Sequence, residues 1–316
     1  MDIQQCFATL RRPGKDDFKR VLALMSACGM DEYGESDSDE LDLQYDWDQM
    51  DLSRDVWLGE NEQDELIGYA AAVPGSNGVR YDIFTHPDIT DIDPNLRLLD
   101  LLIERSLEEL TADSPEISAT MYIAAVNQRD RMAAEMEGFT HIRSHYQMRM
   151  DMAFPPDAVY APGGYELRTF QPDIPGEAQQ IHELVQKAFV YPGRQPQSFD
   201  DWAEGMMRDD IFDPTLWFVL LRNGQMVGVN LSFIYPGLGW VRQLAVDPDW
   251  QGKGLGSILL KKSFQEFYER GYPQVGLGVR ADNNHALEFY LRSGMNIKRQ
   301  YCEYQLTVME REAPAQ

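Results

Sequence analysis

The chain repeats itself, and that constrains its architecture more than any local propensity does. Asp55-Val56-Trp57-Leu58, Glu65-Leu66-Ile67-Gly68-Tyr69, Val79-Arg80-Tyr81 and His86-Pro87-Asp88 stand in order in the first half. They recur as Thr215-Leu216-Trp217-Phe218, Gln225-Met226-Val227-Gly228-Val229, Val241-Arg242-Gln243 and Asp247-Pro248-Asp249. Trp57 precedes Gly68 by eleven positions, as Trp217 precedes Gly228. Further on, Asn127 and Gly138-Phe139 echo Asn283 and Gly294-Met295, and the offset stays near 160 throughout. Ordered agreement at this many places predicts two copies of one fold, each of about 150 residues in a chain of 316.

Between the copies lie Phe154-Pro155-Pro156 and Ala161-Pro162-Gly163-Gly164, where prolines bar a helix and glycines loosen the chain. This places a first domain at 1–153, a linker at 154–164 and a second domain at 165–316. Each copy opens on a helical apolar stripe: Phe18, Val21, Leu22 and Met25 in one, Ile181, Leu184, Val185 and Ala188 in the other. In the second copy, residues 217–221 and 226–234 read as a hairpin turning at Asn223-Gly224. Strand 240–246, helix 257–271, strand 274–279, helix 286–293 and strand 301–309 follow. The expected class is α/β, a mixed sheet flanked by helices, in two tandem copies.

Charge and cysteine usage exclude several functions. The formal net charge of −24 repels phosphate backbones and argues against nucleic-acid binding, whereas it would attract a cationic small molecule or basic peptide. Residues 31–55 hold eleven acidic side chains against a single Arg54, the pattern of a solvated face or a mobile loop. Cys6, Cys28 and Cys302 are odd in number and scattered, which fits a reducing compartment. With no apolar run of membrane length and no signal-like start, a cytoplasmic protein without membrane contact is expected. His141 and His145 lie on a predicted strand and His86, His182 and His285 are isolated, so no metal site is expected.

The chemistry concentrates after strand 240–246. There the chain runs Asp247-Pro248-Asp249-Trp250-Gln251-Gly252-Lys253-Gly254-Leu255-Gly256-Ser257 and then enters an apolar helix at Ile258-Leu259-Leu260. A glycine-rich turn from strand into helix gathers free backbone N–H groups at the positive end of the helix dipole and so holds an anion. The G-x-G-x-G spacing matches neither the dinucleotide nor the nucleoside-triphosphate loop. Downstream stands Asn283-Asn284-His285-Ala286-Leu287-Glu288-Phe289-Tyr290, followed by Gly294.

A Gln-x-x-Gly-x-Gly turn after Val-Asp-Pro, followed by Asn-x-x-Ala-x-x-x-Tyr-x-x-x-Gly, resembles the GNAT-type acyl-CoA N-acetyltransferase superfamily over residues 217–306. The two-domain layout is similar to that of the mycothiol synthase family. The resemblance implies a diphosphate of CoA held by the amides of Gln251, Gly252, Lys253, Gly254, Leu255, Gly256 and Ser257. It implies a pantetheine arm along Leu244, Ala245 and Val246, with Asn283 and Tyr290 lining the thioester end. It further implies the backbone N–H of Leu244 as oxyanion donor and Tyr290 as the acid that protonates the departing thiolate.

The acceptor follows less directly. The resembled family carries a glutamate near the start of this strand, where Gly239-Trp240-Val241-Arg242-Gln243 has no carboxylate or histidine. A water relay, an acid from Asp200, Asp201, Glu204, Asp209 or Asp210, or an amine already neutral in solution stay open as bases. Tyr191, Trp202, Asp201 and Glu204 fall where family members build the acceptor site, and they suit a small-molecule or peptide amine, cationic in character. In the first copy the matching stretch Ile89-Thr90-Asp91-Ile92-Asp93-Pro94-Asn95-Leu96-Arg97 has no glycine, and Ala134 takes the place of Tyr290. That half is expected to keep the fold without the coenzyme chemistry. Two activities stay open: acetyl or short-acyl transfer from acetyl-CoA or another acyl-CoA to a primary amine, or a non-catalytic acyl-CoA sensor.

Overall fold

The computed structural model describes residues 7–36, 38–75, 78–191, 194, 196–208 and 211–309. Cys6, Asp209 and Asp210 lie outside the described residues. The chain forms two compact units, residues 1–145 with 299–316, and residues 146–298.

The first unit contains β1 (Thr9–Arg11), α1 (Phe18–Tyr33), α2 (Glu40–Gln49), α3 (Leu52–Asp55), β2 (Val56–Glu60), β3 (Leu66–Gly75), β4 (Gly78–Thr85), α4 (Asp93–Leu107), β5 (Glu116–Ala124) and α5 (Gln128–Met136). The strand β6 (Thr140–Asp151) leaves it. The second unit contains β7 (Tyr165–Thr169), α6 (Glu177–Ala188), α7 (Phe199–Met206), β8 (Trp217–Arg222), β9 (Gln225–Tyr235), β10 (Leu238–Val246), α8 (Leu255–Glu269), β11 (Gln274–Arg280) and α9 (Asn284–Arg292). The strand β12 (Asn296–Met309) closes the chain.

Strand membership departs from a split at the proline-rich segment. Residues 301–309 of β12 pair antiparallel with β5, from Tyr301 opposite Ala124 to Met309 opposite Glu116, and belong to the first unit. Residues 146–151 of β6 belong to the second unit, whose strand order is β6-β11-β10-β9-β8-β7. Thus each unit is completed by the strand that the other copy's sequence supplies. The two strands are repeat equivalents with the same pattern, so sequence alone places either one in either sheet.

The core explains the echoed residues. In β9, residues 226–233 are buried without interruption, as a strand covered on both faces must be. Helix α8 buries Leu255 and Leu259 against Phe218, Leu220 and Val227. Helix α6 buries Ile181, Leu184 and Val185 in the cluster that holds Trp202, Trp217 and Phe233. A Cβ on Gly228 would stand 2.9 Å from Leu259 Cδ1, and one on Gly68 would stand 2.7 Å from Phe7 Cε1 and 3.4 Å from Leu98 Cδ1. The repeated glycine therefore makes room over the sheet in both copies, for Leu259 of α8 at Gly228 and chiefly for the Phe7 ring at Gly68. At the β8–β9 turn, Asn223 and Gly224 have φ of 50° and 77°, the two left-handed residues of a tight hairpin.

The acidic stretch is not a mobile loop. Glu40–Gln49 and Leu52–Asp55 are helical, capped by Asp39 and Asp51, and Leu43, Trp47 and Met50 are buried. The acids form the solvated face of helices whose apolar residues at i, i+4 and i+7 are pulled inward. Among the described residues no helix is long and apolar enough to cross a membrane.

Candidate active site

Two strands part where the site begins. β10 and β11 run parallel but pair only at Gly239–Val275, Trp240–Gly276 and Val241–Leu277. Beyond them, Gln243, Leu244, Ala245 and Val246 pair with β9 alone, after a one-residue slip of register at Arg242. The slip is a β-bulge, which twists and bends the strand and re-aims its peptide groups. The backbone edge of Leu244, Ala245 and Val246 thus borders a gap between parallel strands, as the resemblance implies. The first unit shows the same parting: β4 and β5 pair at Val79–Ala119 and Arg80–Thr120 only.

At the end of β10 the chain turns through Pro248–Trp250 and enters α8 at Leu255. Gly254 caps the helix with φ 77°, and Gly252 has φ 74°. A Cβ at either position would meet nothing within 4 Å, so these glycines serve the left-handed backbone rather than packing. The first amides that find carbonyls are Ser257 and Ile258, both on Gly254 O at 3.1 and 3.3 Å. The N–H groups of Gly252, Lys253, Gly254, Leu255 and Gly256 have no partner among the described residues. Five consecutive free amides at a helix mouth form an anion cradle, with the helix dipole adding to it. Gln251 N bonds Pro248 O at 3.4 Å, and the Gln251 side chain donates to Val246 O at 3.1 Å, so Gln251 braces the turn. The Lys253 ammonium sits 4.4 Å above the Trp250 ring and donates to Asp249 O.

The cradle is anchored from below by Asp247. Its N–H bonds Val227 O, its carboxylate accepts Asp249 N–H at 3.0 Å, and Lys187 of α6 donates to it at 2.9 Å. Burial works against its ionisation, but the Lys187 ammonium and the Asp249 N–H outweigh that and hold it below the usual carboxylate range. Nothing in the sequence announces this Lys187–Asp247 tie, since the two are sixty residues apart.

Helix α9 stands against the cradle. A Cβ on Gly256 would lie 3.8 Å from both Phe289 Cζ and Val246 Cγ2, and Phe289 and Tyr290 have ring centroids 5.1 Å apart. Tyr290 and Leu244 pack on one apolar cluster. Burial pushes the Tyr290 phenol up to about 12, so it holds its proton throughout the neutral range. Asn283 caps α9 by accepting Ala286 N–H at 3.1 Å, and Asn127 does the same for α5 with Asp130 N–H at 3.0 Å. Helix capping in both copies accounts for this echo.

The acceptor-side residues divide. Asp201 and Glu204 are exposed on α7. Trp202 is 1% exposed, within the core, and its indole N–H donates to Gln243 Oε1 at 3.2 Å. That bond orients the Gln243 amide so that its NH2 points away from Trp202. Nothing in the sequence links these two residues. The Tyr191 ring carries the Arg280 guanidinium 3.8 Å from its centroid, so that aromatic face already holds a cation. Among the described residues no cluster of three metal-ligating side chains occurs.

A strand that parts from its parallel neighbour, a glycine turn with free amides and a helix bearing a half-buried phenol define a mixed α/β domain of the acyl-transferase class. The chain carries an acetyltransferase domain of the GNAT family: residues 178–295 match the family described as "Acetyltransferase (GNAT) family". It is similar to a mycothiol acetyltransferase of Catenulispora acidiphila, 27% identical over 180 residues, covering 55% of this chain and 57% of the relative. A mycothiol acetyltransferase of Thermomonospora curvata is 30% identical over 185 residues, covering 57% of this chain and 59% of the relative. The matched stretch therefore spans less than two thirds of these curated relatives. Among solved structures, a GCN5-related N-acetyltransferase from Sphaerobacter thermophilus superposes with a TM-score of 0.83 at 25% identity, covering 96% of each chain. A tandem GNAT protein of the clavulanic acid pathway gives 0.72 at 14% identity, over 96% of this chain and 99% of that one, and shares the tandem fold.

Proposed function

We propose that the second unit transfers an acetyl or other short acyl group from acyl-CoA to a primary amine of a small molecule or peptide. The observation that carries this is the run of five unpartnered amides, Gly252 to Gly256, at the mouth of α8 beside a strand edge with no parallel partner. The cradle fits a diphosphate because its unpaired N–H groups want an anion, and because the left-handed glycines 252 and 254 leave them uncovered by side chains. Bound there, acyl-CoA supplies an activated thioester.

The chain's own groups supply the rest. The Leu244 N–H, just past the bulge, donates to the oxygen on which charge develops, and such a donor is worth up to a few kcal/mol. Tyr290 holds a proton at Oη for the leaving thiolate, and its raised pKa keeps that proton in place until it is needed. Gln243, whose Oε1 accepts from Trp202, offers no base, and neither does the rest of Gly239-Trp240-Val241-Arg242, the stretch near whose start the resembled family has a carboxylate. The acceptor therefore loses its proton to solvent or to a surface acid such as Asp201 or Glu204. On this reading the first unit keeps the fold and performs no coenzyme chemistry.

Release of free thiol from acetyl-CoA, measured with a panel of amines, tests the proposal. Amine-dependent release supports the transferase. CoA binding without release above hydrolysis makes the site a sensor, and absence of CoA binding removes both.

A further inference from the structure

Gln243 is the first residue of β10 past the bulge, one Cα step of about 3.8 Å from Leu244. It stands opposite Leu231 and so shares a face of the sheet with it, the face on which Leu231 and Trp202 join one core cluster. Trp202 fixes which way its amide faces. An indole N–H only donates, so the atom 3.2 Å from Trp202 Nε1 is the oxygen, Oε1, and the NH2 is turned away. That NH2 donates to nothing among the described residues, and Gln243 is only half-buried, its nitrogen not sealed from solvent.

The first unit shows the same place closed. Gln243 pairs with Leu231, three residues past Gly228, and Asp82 pairs with Ala71, three past Gly68, so the two are equivalent in register. The Asp82 carboxylate accepts from Arg80 Nε at 2.9 Å and from Arg80 Nη2 at 2.8 Å, and Arg80 also donates to Asp46 of α2. Both polar atoms of that side chain are engaged. Gln243 has its oxygen engaged and its donors free, beside the edge where the parallel strands part. A polar group held in one orientation next to a reaction centre, with donors to spare, discriminates ligands by whether they complete the hydrogen bond. Because the amide is neutral and the net charge of −24 disfavours a free carboxylate on the incoming molecule, the group it selects is a neutral oxygen.

We propose that Gln243 sets acceptor specificity: its NH2 donates to a carbonyl, ether or hydroxyl oxygen that the acceptor carries a few bonds from its amine nitrogen. This rests on the transferase reading of the second unit and narrows its substrate to amines with such an oxygen.

Two amines of one shape test it: 2-methoxyethylamine, whose ether oxygen only accepts, and butylamine, with a methylene in its place. The quantity read is the ratio of their kcat/KM values, each counted on the neutral amine, in thiol release from acetyl-CoA by the full chain. Gln243→Glu keeps an oxygen for the Trp202 indole and replaces the donors by a second acceptor. The ratio is expected to fall about tenfold, through KM rather than kcat. Gln243→Met, of similar length and without donors, is expected to lower it as well, and circular dichroism checks that both variants fold. Should CoA bind without amine-dependent release, the transferase reading fails, and the same ratio is then read from the calorimetric affinities of the two amines for the CoA-saturated chain. A ratio unchanged in both variants, or no saturable interaction with the ether amine in either readout, overturns the proposal.

Discussion

The turn after β10 and the turn after β4 occupy the same place in the repeat and open on the same bonds, from Asp249 and Trp250 to Asp247 and from Asp88 and Ile89 to His86, yet the first runs on through five free amides and three glycines while the second has no glycine, engages Asp93 N–H, lacks a donor at Pro94 and carries Asp91 and Asp93. Around both turns the scaffold is alike. Gly228 and Gly68 make room for side chains packed on the sheet, Asn283 and Asn127 cap the helices α9 and α5, and the parallel strands part after two or three pairs. What the copies share is therefore what the fold requires. What they do not share, namely Gly252, Gly254 and Tyr290 against Asp91, Pro94 and Ala134, is where function is to be sought.

The comparison breaks most sharply at Gly254. Gly254→Asp puts a carboxylate at the cradle, and CoA binding is expected to fall at least about a hundredfold by calorimetry. Folding survives, because a Cβ there meets nothing within 4 Å and only the left-handed backbone costs about 1 kcal/mol. Native affinity in this variant would remove the cradle from the site. Next, Gly68→Val and Gly228→Val are each expected to cost about 1–3 kcal/mol in chemical denaturation, by crowding Phe7 in one unit and Leu259 in the other. A loss in one unit only would show that the echo is not structural.

Tyr290→Phe is expected to spare CoA binding and slow turnover about tenfold or more. In wild type, the rate is expected to rise with pH as the acceptor amine deprotonates. No alkaline decline is expected at the ordinary phenol value near 10, since burial pushes Tyr290 up to about 12. A decline near the ordinary value would give the proton to another group. The smallest effects sharpen rather than break the comparison: Asn127→Ala and Asn283→Ala each remove a cap worth about 1 kcal/mol. If Asn283→Ala also weakens CoA binding beyond the accompanying loss of stability, that asparagine touches the ligand as well.

Much of this architecture is legible in the residues alone. The hairpin at Asn223-Gly224, the helix after the glycine turn and the succession of strands in the second copy follow from turn chemistry and periodicity, which act over a few residues. The helices α2 and α3 are harder to read, because a dense acidic run hides the three buried residues Leu43, Trp47 and Met50 that anchor them. Trp202 reads as a binding residue because it falls, with an acidic cluster, in the segment where the resembled family builds its acceptor site. Its indole is instead buried against Gln243, a contact forty-one residues away in sequence.

By itself, then, the sequence determined the duplication, the glycine turn and the loss of that turn in the first copy, since each is written in residues close together along the chain. Tertiary structure alone decided which sheet β6 and β12 complete, that Arg129 is engaged by three backbone carbonyls, and that Lys187 ties down Asp247. These depend on pairings between distant segments, and two strands of the same pattern, or any two opposite charges, do not announce their partners until packing brings them together.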